Sequence, residues 1–220
     1  MSPETLEAYI LRHIDAEPPL LTALSRDAHV KLLRPRMMAG HLQGRLLKMC
    51  CRMIRPRRVL EIGTFTAYAT LCMAEGLPAG ALIHTVDVND EMEAFIRPWL
   101  ALSPDREKIR FHWGRAEDIL PALDETFDLV YIDGDKRDYC VYYDLVFPHV
   151  RPGGFILADN TLWSGKVTGR PPHSADRQTQ GILAFNEKIS QDVRTEKVII
   201  PLRDGLTVIC KRDEPAGGLS

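Results

Sequence analysis

From residue 56 onward the chain alternates short, continuously apolar runs with stretches of helical spacing, and that alternation restricts the fold more than any other feature. The apolar runs are 59–62, 81–86, 109–113, 129–132 and 155–158; helical stretches fall near 67–75, 91–102, 116–123 and 142–150. Strands without a polar face need cover on both faces, which predicts a parallel sheet between two helical layers. Right-handed crossovers then give a doubly wound α/β architecture. A helix near 182–190 precedes two more strands, 197–201 and 206–211, and the Asp-Gly of Arg203-Asp204-Gly205 between them suits a hairpin turn. The sheet is therefore expected to end in an antiparallel pair.

Three helical stretches come first. Ser2-Pro3 reads as a cap and first turn for a helix with Leu6, Ile10 and Ile14 on one face. After Pro18-Pro19 a second stretch carries Leu21, Leu24, Ala28 and Leu32 and ends near Pro35. A third, 42–54, keeps Leu42, Leu46, Leu47, Cys50, Met53 and Ile54 at helical spacing. The 220 residues fit one domain, with N-terminal helices over 1–55 and a core over 56–212. Pro171-Pro172 marks a surface loop, and 214–220 a frayed end.

A net charge of −2 gives no general affinity for nucleic acid. No apolar run approaches the roughly 20 residues of a membrane span, and the polar start lacks the pattern of a signal peptide. Cys50, Cys51, Cys72, Cys140 and Cys210 are scattered and odd in number, which predicts reduced thiols and a cytoplasmic protein.

In such a sheet ligands bind beyond the carboxyl ends of the strands. The first strand ends Leu60-Glu61-Ile62-Gly63-Thr64. Gly63 permits a tight turn and close approach to a ligand, and the next helix starts just behind it. A single glycine is not the dinucleotide fingerprint, which argues against an NAD-dependent dehydrogenase. Glu61 is placed to accept from a ligand's ammonium group, and Asp87, ending the second strand, to take both hydroxyls of a ribose. Gly114-Arg115-Ala116 leaves room for an adenine, so an adenosyl ligand is expected.

The fourth strand ends Ile132-Asp133-Gly134-Asp135-Lys136 and the fifth Ala158-Asp159-Asn160. As neighbours they would bring Asp133, Asp159 and Asn160 to one rim. Two carboxylates and an amide oxygen are hard ligands suited to Mg²⁺ first, with Mn²⁺ or Ca²⁺ as alternatives. Helix capping is the plainer role for the same aspartates. A cation beside a phenol, whose pKa is ordinarily about 10, favours phenolate near neutral pH. Lys136, next to Asp133 in the same motif, is the candidate general base or proton guide.

With these motifs the chain resembles the cation-dependent class I O-methyltransferases related to caffeoyl-CoA and catechol O-methyltransferases. Leu60-Glu61-Ile62-Gly63, Asp133-Gly134-Asp135-Lys136, Asp159-Asn160-Thr161-Leu162-Trp163 and Asp204-Gly205-Leu206-Thr207 carry the resemblance. It implies a Rossmann-like seven-stranded sheet with a reversed last strand, and metal ligation by Asp133, Asp159 and Asn160. It implies S-adenosylmethionine (SAM) contacts at Glu61, Gly63, Asp87, Ala116 and the backbone near Ala39, with Thr64, Tyr68 and Ala69 of the same turn included. Asp135 and Trp163 match positions beside cofactor and acceptor, and Met38 is a candidate for lining the acceptor pocket, with ordinary packing its alternative.

The implied reaction moves a methyl group from SAM to a hydroxyl of a catechol-like small molecule, in a homodimer. A tRNA hydroxyuridine acceptor and a non-catalytic SAM-binding or dimer-partner role are the alternatives. The chain departs from the family in Ala67-Tyr68-Ala69, where Gly-Tyr-Ser is common, in Gln43, where an acid is common, and in Ser164, where plant members often have asparagine. Losing the serine's bond to the SAM carboxylate would cost about 1.5–3 kcal/mol.

Overall fold

The computed structural model describes residues 5–169, 172–173 and 175–213. Seven strands form one sheet in the order β3-β2-β1-β4-β5-β7-β6. They are β1 (Arg58–Ile62), β2 (Leu82–Asp87), β3 (Ile109–Trp113), β4 (Phe127–Ile132), β5 (Val150–Asp159), β6 (Thr195–Ile200) and β7 (Leu206–Lys211). The first five pair in parallel, while β7 runs antiparallel to both β5 and β6. The doubly wound sheet with a reversed last strand is therefore the observed fold. The helices are α1 (Leu6–His13), α2 (Pro19–Lys31), α3 (His41–Ile54), α4 (Tyr68–Gly76), α5 (Glu93–Leu102), α6 (Ala116–Leu123), α7 (Tyr139–Val146) and α8 (Arg177–Gln191).

Three boundaries differ from the sequence reading. Ser2 and Pro3 lie outside the described residues; within them, the Thr5 hydroxyl caps α1 by accepting from the Ala8 N–H. The helix expected over 142–150 starts at Tyr139 and ends at Val146, because Pro148 cannot continue the backbone ladder. The strand expected over 155–158 begins at Val150, with a register shift against β4 that absorbs Pro152-Gly153-Gly154. Residues 214–220 and Pro171 are outside the described residues. Among the described residues no helix is long and apolar enough to cross a membrane, and all five cysteines are free thiols.

The pleat divides the core by residue parity. Val59, Ile83, Leu129, Tyr131 and Leu157 pack with α3 and α4, where Leu47, Tyr68, Leu71 and Cys72 are buried. Leu60, Ile62, Val130, Ile132 and Ile156 face the other way, against Tyr139, Tyr143, Ile182 and Phe185 of α7 and α8. Glu61, Thr85 and Asp159 therefore lie on the α3–α4 side, and this decides which polar groups meet them. The α3 and α4 helices pack closely because Gly44 has no side chain; a Cβ there would lie 2.6 Å from Cys72 Sγ and 2.9 Å from Tyr68 Cε1.

Candidate active site

Glu61 is fully buried at the end of β1. Its Oε2 accepts from Thr70 Oγ1 of α4 and from Thr85 Oγ1 of β2, the latter at 2.6 Å, while Oε1 is buried with no partner. Burial pushes its pKa up to about 8; the two threonine bonds pull it down, and Asp133 and Asp87 push it up again. With that pKa the carboxyl favours its protonated form near neutral pH.

The turn after β1 holds the other expected cofactor residues at close quarters. Gly63 has φ +100°, and a Cβ on it would lie 2.4 Å from the carbonyl oxygen of Asp133. The glycine thus lets the ends of β1 and β4 close on each other, a tighter reason than the approach of a ligand. Thr64 is buried and its hydroxyl meets Thr85 Oγ1 at 2.6 Å, one layer behind Glu61. Asp87 accepts from the Phe65 N–H at 2.8 Å and the Asn89 N–H at 2.9 Å, which fixes its carboxylate at the end of β2. Helix α4 begins without a side-chain cap after Ala67, a non-glycine residue at φ 64°. No side chain caps the first N–H groups of this helix, at Tyr68 and Ala69. The Tyr68 side chain itself turns away: its ring packs at Gly44 and its hydroxyl donates to Glu17. Ala116 opens α6 beyond β3 and is buried. Ala39 and Met38 are also buried, both within the α3–α4 core, so the Met38 side chain is a packing group.

The ends of β4 and β5 carry the acidic pair. Asp133 Oδ1 accepts from Lys136 Nζ at 2.7 Å, and Lys136 also donates to the Gly134 carbonyl at 3.1 Å. Burial raises the Asp133 pKa, Lys136 lowers it, and Asp159 raises it, so the net shift is upward. Burial alone would favour a neutral Lys136 amine, but Asp133 outweighs it and holds the ammonium above the usual lysine range. The ammonium also stands 5.0 Å from the centre of the Tyr139 ring. Asp159 is almost fully enclosed: Oδ2 accepts from Gln43 Nε2 at 2.5 Å and from Tyr131 Oη at 2.9 Å, and Oδ1 from the Asn160 N–H at 2.8 Å. Asn160 adopts φ 57°, and Trp163 and Ser164 follow at 44° and 53°. Three left-handed non-glycine residues in one loop store strain of the kind that gathers at functional sites. Asp135 is committed to Arg137, whose Nε lies 2.9 Å from Oδ1, and to capping the turn over 136–138.

Among the described residues no group of three or more His, Cys, Asp and Glu side chains could hold a metal ion. The expected set of two aspartates and an asparagine is a different one. Its chemistry fits a hard cation: Asp133 and Asp159 repel across the rim, and a positive charge between them relieves that repulsion.

Residues 12–212 match the model of the O-methyltransferase family. The chain belongs to this family. The methyltransferase is 33% identical over 180 residues to caffeoyl-CoA O-methyltransferase 1 of Eucalyptus globulus, covering 77% of this chain and 72% of that one. It is 33% identical over 184 residues to caffeoyl-CoA O-methyltransferase 1 of Arabidopsis thaliana, covering 77% and 69%. Among solved structures it is similar to the O-methyltransferase TomG from Streptomyces achromogenes, in complex with SAM. That likeness has TM-score 0.86 and 28% identity over 94% of this chain and 96% of that one. The expectation of a class I O-methyltransferase related to the caffeoyl-CoA enzymes is met at the level of the family.

Sequence reasoning gave Tyr139, at helical spacing after the acidic motif, core packing with a place flanking the site as its alternative, and missed the other residues that position the site of the methyltransferase. Tyr139 Oη donates to the carbonyls of Asp159 at 2.9 Å and Ile132 at 3.2 Å, tying the ends of β4 and β5 together. Gly181, inside α8, lets the turn carrying Lys136 rest on that helix; a Cβ there would lie 2.2 Å from the Lys136 carbonyl oxygen. A glycine inside a helical pattern was the available signal. Thr70, Thr85 and Tyr131 carried none, because only the fold brings them to the carboxylates. His41 bonds the Asp15 carbonyl at 2.7 Å, and His84 and His112 pair at 3.0 Å within β2 and β3, short of the strand ends.

Proposed function

We propose that this methyltransferase moves the methyl group of SAM to one hydroxyl of a catechol-like aromatic acceptor, with a divalent cation, Mg²⁺ first, held by Asp133, Asp159 and Asn160. The single observation that carries the reading is the juxtaposition at one rim of the Asp133–Asp159 pair with Glu61, whose buried Oε1 has no partner. Balance requires SAM and acceptor hydroxyl to give S-adenosylhomocysteine, the methyl ether and one proton.

Glu61 is suited to the ammonium group of SAM, Asp87 to its ribose, and the uncapped start of α4 at Tyr68 and Ala69 to its carboxylate. This backbone contact substitutes for the hydroxyl that Ala69 lacks. A cation at the acidic pair would draw in vicinal hydroxyls and ease loss of a proton from one of them. Lys136, held as an ammonium beside Asp133, is suited to steadying the resulting negative oxygen and directing its lone pair at the methyl group. Trp163, in the strained loop after β5, is suited to the acceptor ring. Most of the rate advantage in such a transfer comes from alignment of nucleophile, carbon and leaving sulfur.

A homodimer fits this reading, with Leu6, Tyr9 and Leu11 of α1 and Val30 of α2 exposed on the N-terminal helices. A cytoplasmic setting fits the free thiols. Around the rim Arg115 pairs with Glu117, Arg137 with Asp135 and Lys166 with Asp176, a mixed surface that does not favour a tRNA acceptor.

The test is methyl transfer from labelled SAM to 3,4-dihydroxybenzoate with Mg²⁺ and then with excess EDTA. Transfer that EDTA abolishes supports donor, acceptor class and cation together. Transfer that survives EDTA, or full turnover by Asp159→Ala, overturns the cation.

A further inference from the structure

Arg203 lies at the tip of the turn between β6 and β7, with its backbone at φ 49°. A left-handed conformation costs an ordinary side chain about 1–2 kcal/mol, and this side chain is exposed, so no core packing offsets the cost. The tight turn between the two antiparallel strands holds this backbone, and it carries the guanidinium toward the segment before α3. Nη1 donates to the Met38 carbonyl at 3.3 Å. It lies so close over Gly40 that a Cβ there would stand 3.0 Å from it. The same turn is stitched to the loop after β5. The Leu162 and Trp163 N–H groups donate to the Asp204 carbonyl at 2.7 and 3.2 Å, and Ser164 Oγ donates to the Asp204 carboxylate. The turn over Arg203 and Asp204 thus bridges the segment before α3, through Arg203, and the loop carrying Trp163 and Ser164, through Asp204. Its positive charge is felt by Asp133.

Arg115, Arg137 and Lys166 each have a carboxylate partner. Arg203 has none among the described residues, only the one carbonyl. A guanidinium carries five donors in a planar fork that matches a carboxylate. Resting on the acceptor reading above, we propose that Arg203 is a specificity-determining residue that takes the carboxylate of an anionic catechol acceptor, whose hydroxyls lie at the Asp133–Asp159 rim. The preferred substrate class is then a carboxylated catechol rather than a neutral one.

The test compares 3,4-dihydroxybenzoate with the neutral, similarly shaped 3,4-dihydroxybenzamide. The wild-type protein should favour the carboxylate at least tenfold in kcat/KM, and the preference should weaken with added salt. Arg203→Gln and Arg203→Gly should bring the ratio near one, mainly by raising KM for the carboxylate, and Arg203→Lys should keep part of it. Arg203→Gly also relieves the left-handed backbone, so its melting temperature should not fall and misfolding cannot mimic the result. A wild-type ratio near one, or an unchanged ratio in both charge-removing variants, overturns the role of Arg203 while leaving the methyl transfer standing. Absence of transfer to both acceptors overturns it together with the reading on which it rests.

Discussion

Gln43 Nε2 of α3 donates to Asp159 Oδ2 at the end of β5 across 2.5 Å, joining residues 116 positions apart in sequence. With Tyr131 at 2.9 Å, it holds one oxygen of a buried carboxylate at the rim. Gln43→Leu removes a bond to a charged group and should lower unfolding stability by about 1.5–3 kcal/mol, read from denaturant midpoints. Gln43→Glu sets a second carboxyl against Asp159, and one of the two must keep a proton. The introduced group then has a folded pKa above its unfolded value, so its stability contribution is present at low pH and lost as pH rises. Added Mn²⁺ should restore stability at high pH. A variant equally stable from pH 5 to 8 would show that the two groups do not meet.

Glu61 predicts a proton linked to SAM binding. Its pKa of about 8 without ligand means the carboxyl is mostly protonated at pH 7, and a bound ammonium favours the ionised form. SAM binding at pH 7 should therefore release close to one proton, and affinity should fall as pH drops below 8. Titration calorimetry in buffers of different ionisation enthalpy measures this directly. The unliganded protein follows the opposite course: the raised pKa stabilises it most below the unfolded value of about 4.3, and that contribution is lost as pH rises through 8. Glu61→Gln should remove both effects, and proton release that persists in it would place the linkage elsewhere.

Lys136 tests charge against base. Because Asp133 holds its ammonium, its contribution should be electrostatic. Lys136→Met should lose about 10²-fold or more in kcat with SAM affinity retained, whereas Lys136→Arg should keep a measurable part of the rate, since arginine stays charged. If the arginine variant is as inactive as the methionine one, Lys136 works by losing its proton.

Gly181 bears on Lys136 from behind. Gly181→Ala would put a methyl group 2.2 Å from the Lys136 carbonyl oxygen, so the turn over 136–138 must move. Overpacking of this kind costs about 1–3 kcal/mol. A shift of the lysine by about 1 Å should lower kcat up to 10²-fold. SAM affinity and the far-ultraviolet spectrum should stay near wild type. Full activity in this variant would show that the turn does not depend on α8.

The parallel alternation, the antiparallel end and the acids at the strand ends were legible in the chain because each is local. Apolar runs of strand length, an Asp-Gly before a last strand and an acid ending each of four strands need no knowledge of distant residues. Boundaries went astray where local signals competed. Val150 belongs to β5, although the apolar stretch before it reads as helix, because Pro148 ends the helix and β4 offers a pairing partner.

The sequence by itself determined where the candidate groups stand: Glu61, Asp87, Asp133, Lys136, Asp159 and Asn160 all occupy the ends of strands or the turns that follow them. Tertiary structure alone decided what each of these can do. Glu61 keeps an oxygen without a partner because Thr70 and Thr85 satisfy only the other. The Tyr68 hydroxyl is drawn to Glu17, and Met38 is buried among the core residues between α3 and α4, a packing place its position in the chain left open. Gln43 and Arg203 reach the rim from opposite ends of the chain. The reason is physical: period and turn chemistry are properties of neighbouring residues, whereas burial, pairing and the pKa of a carboxylate depend on what the fold brings across the sheet from far away.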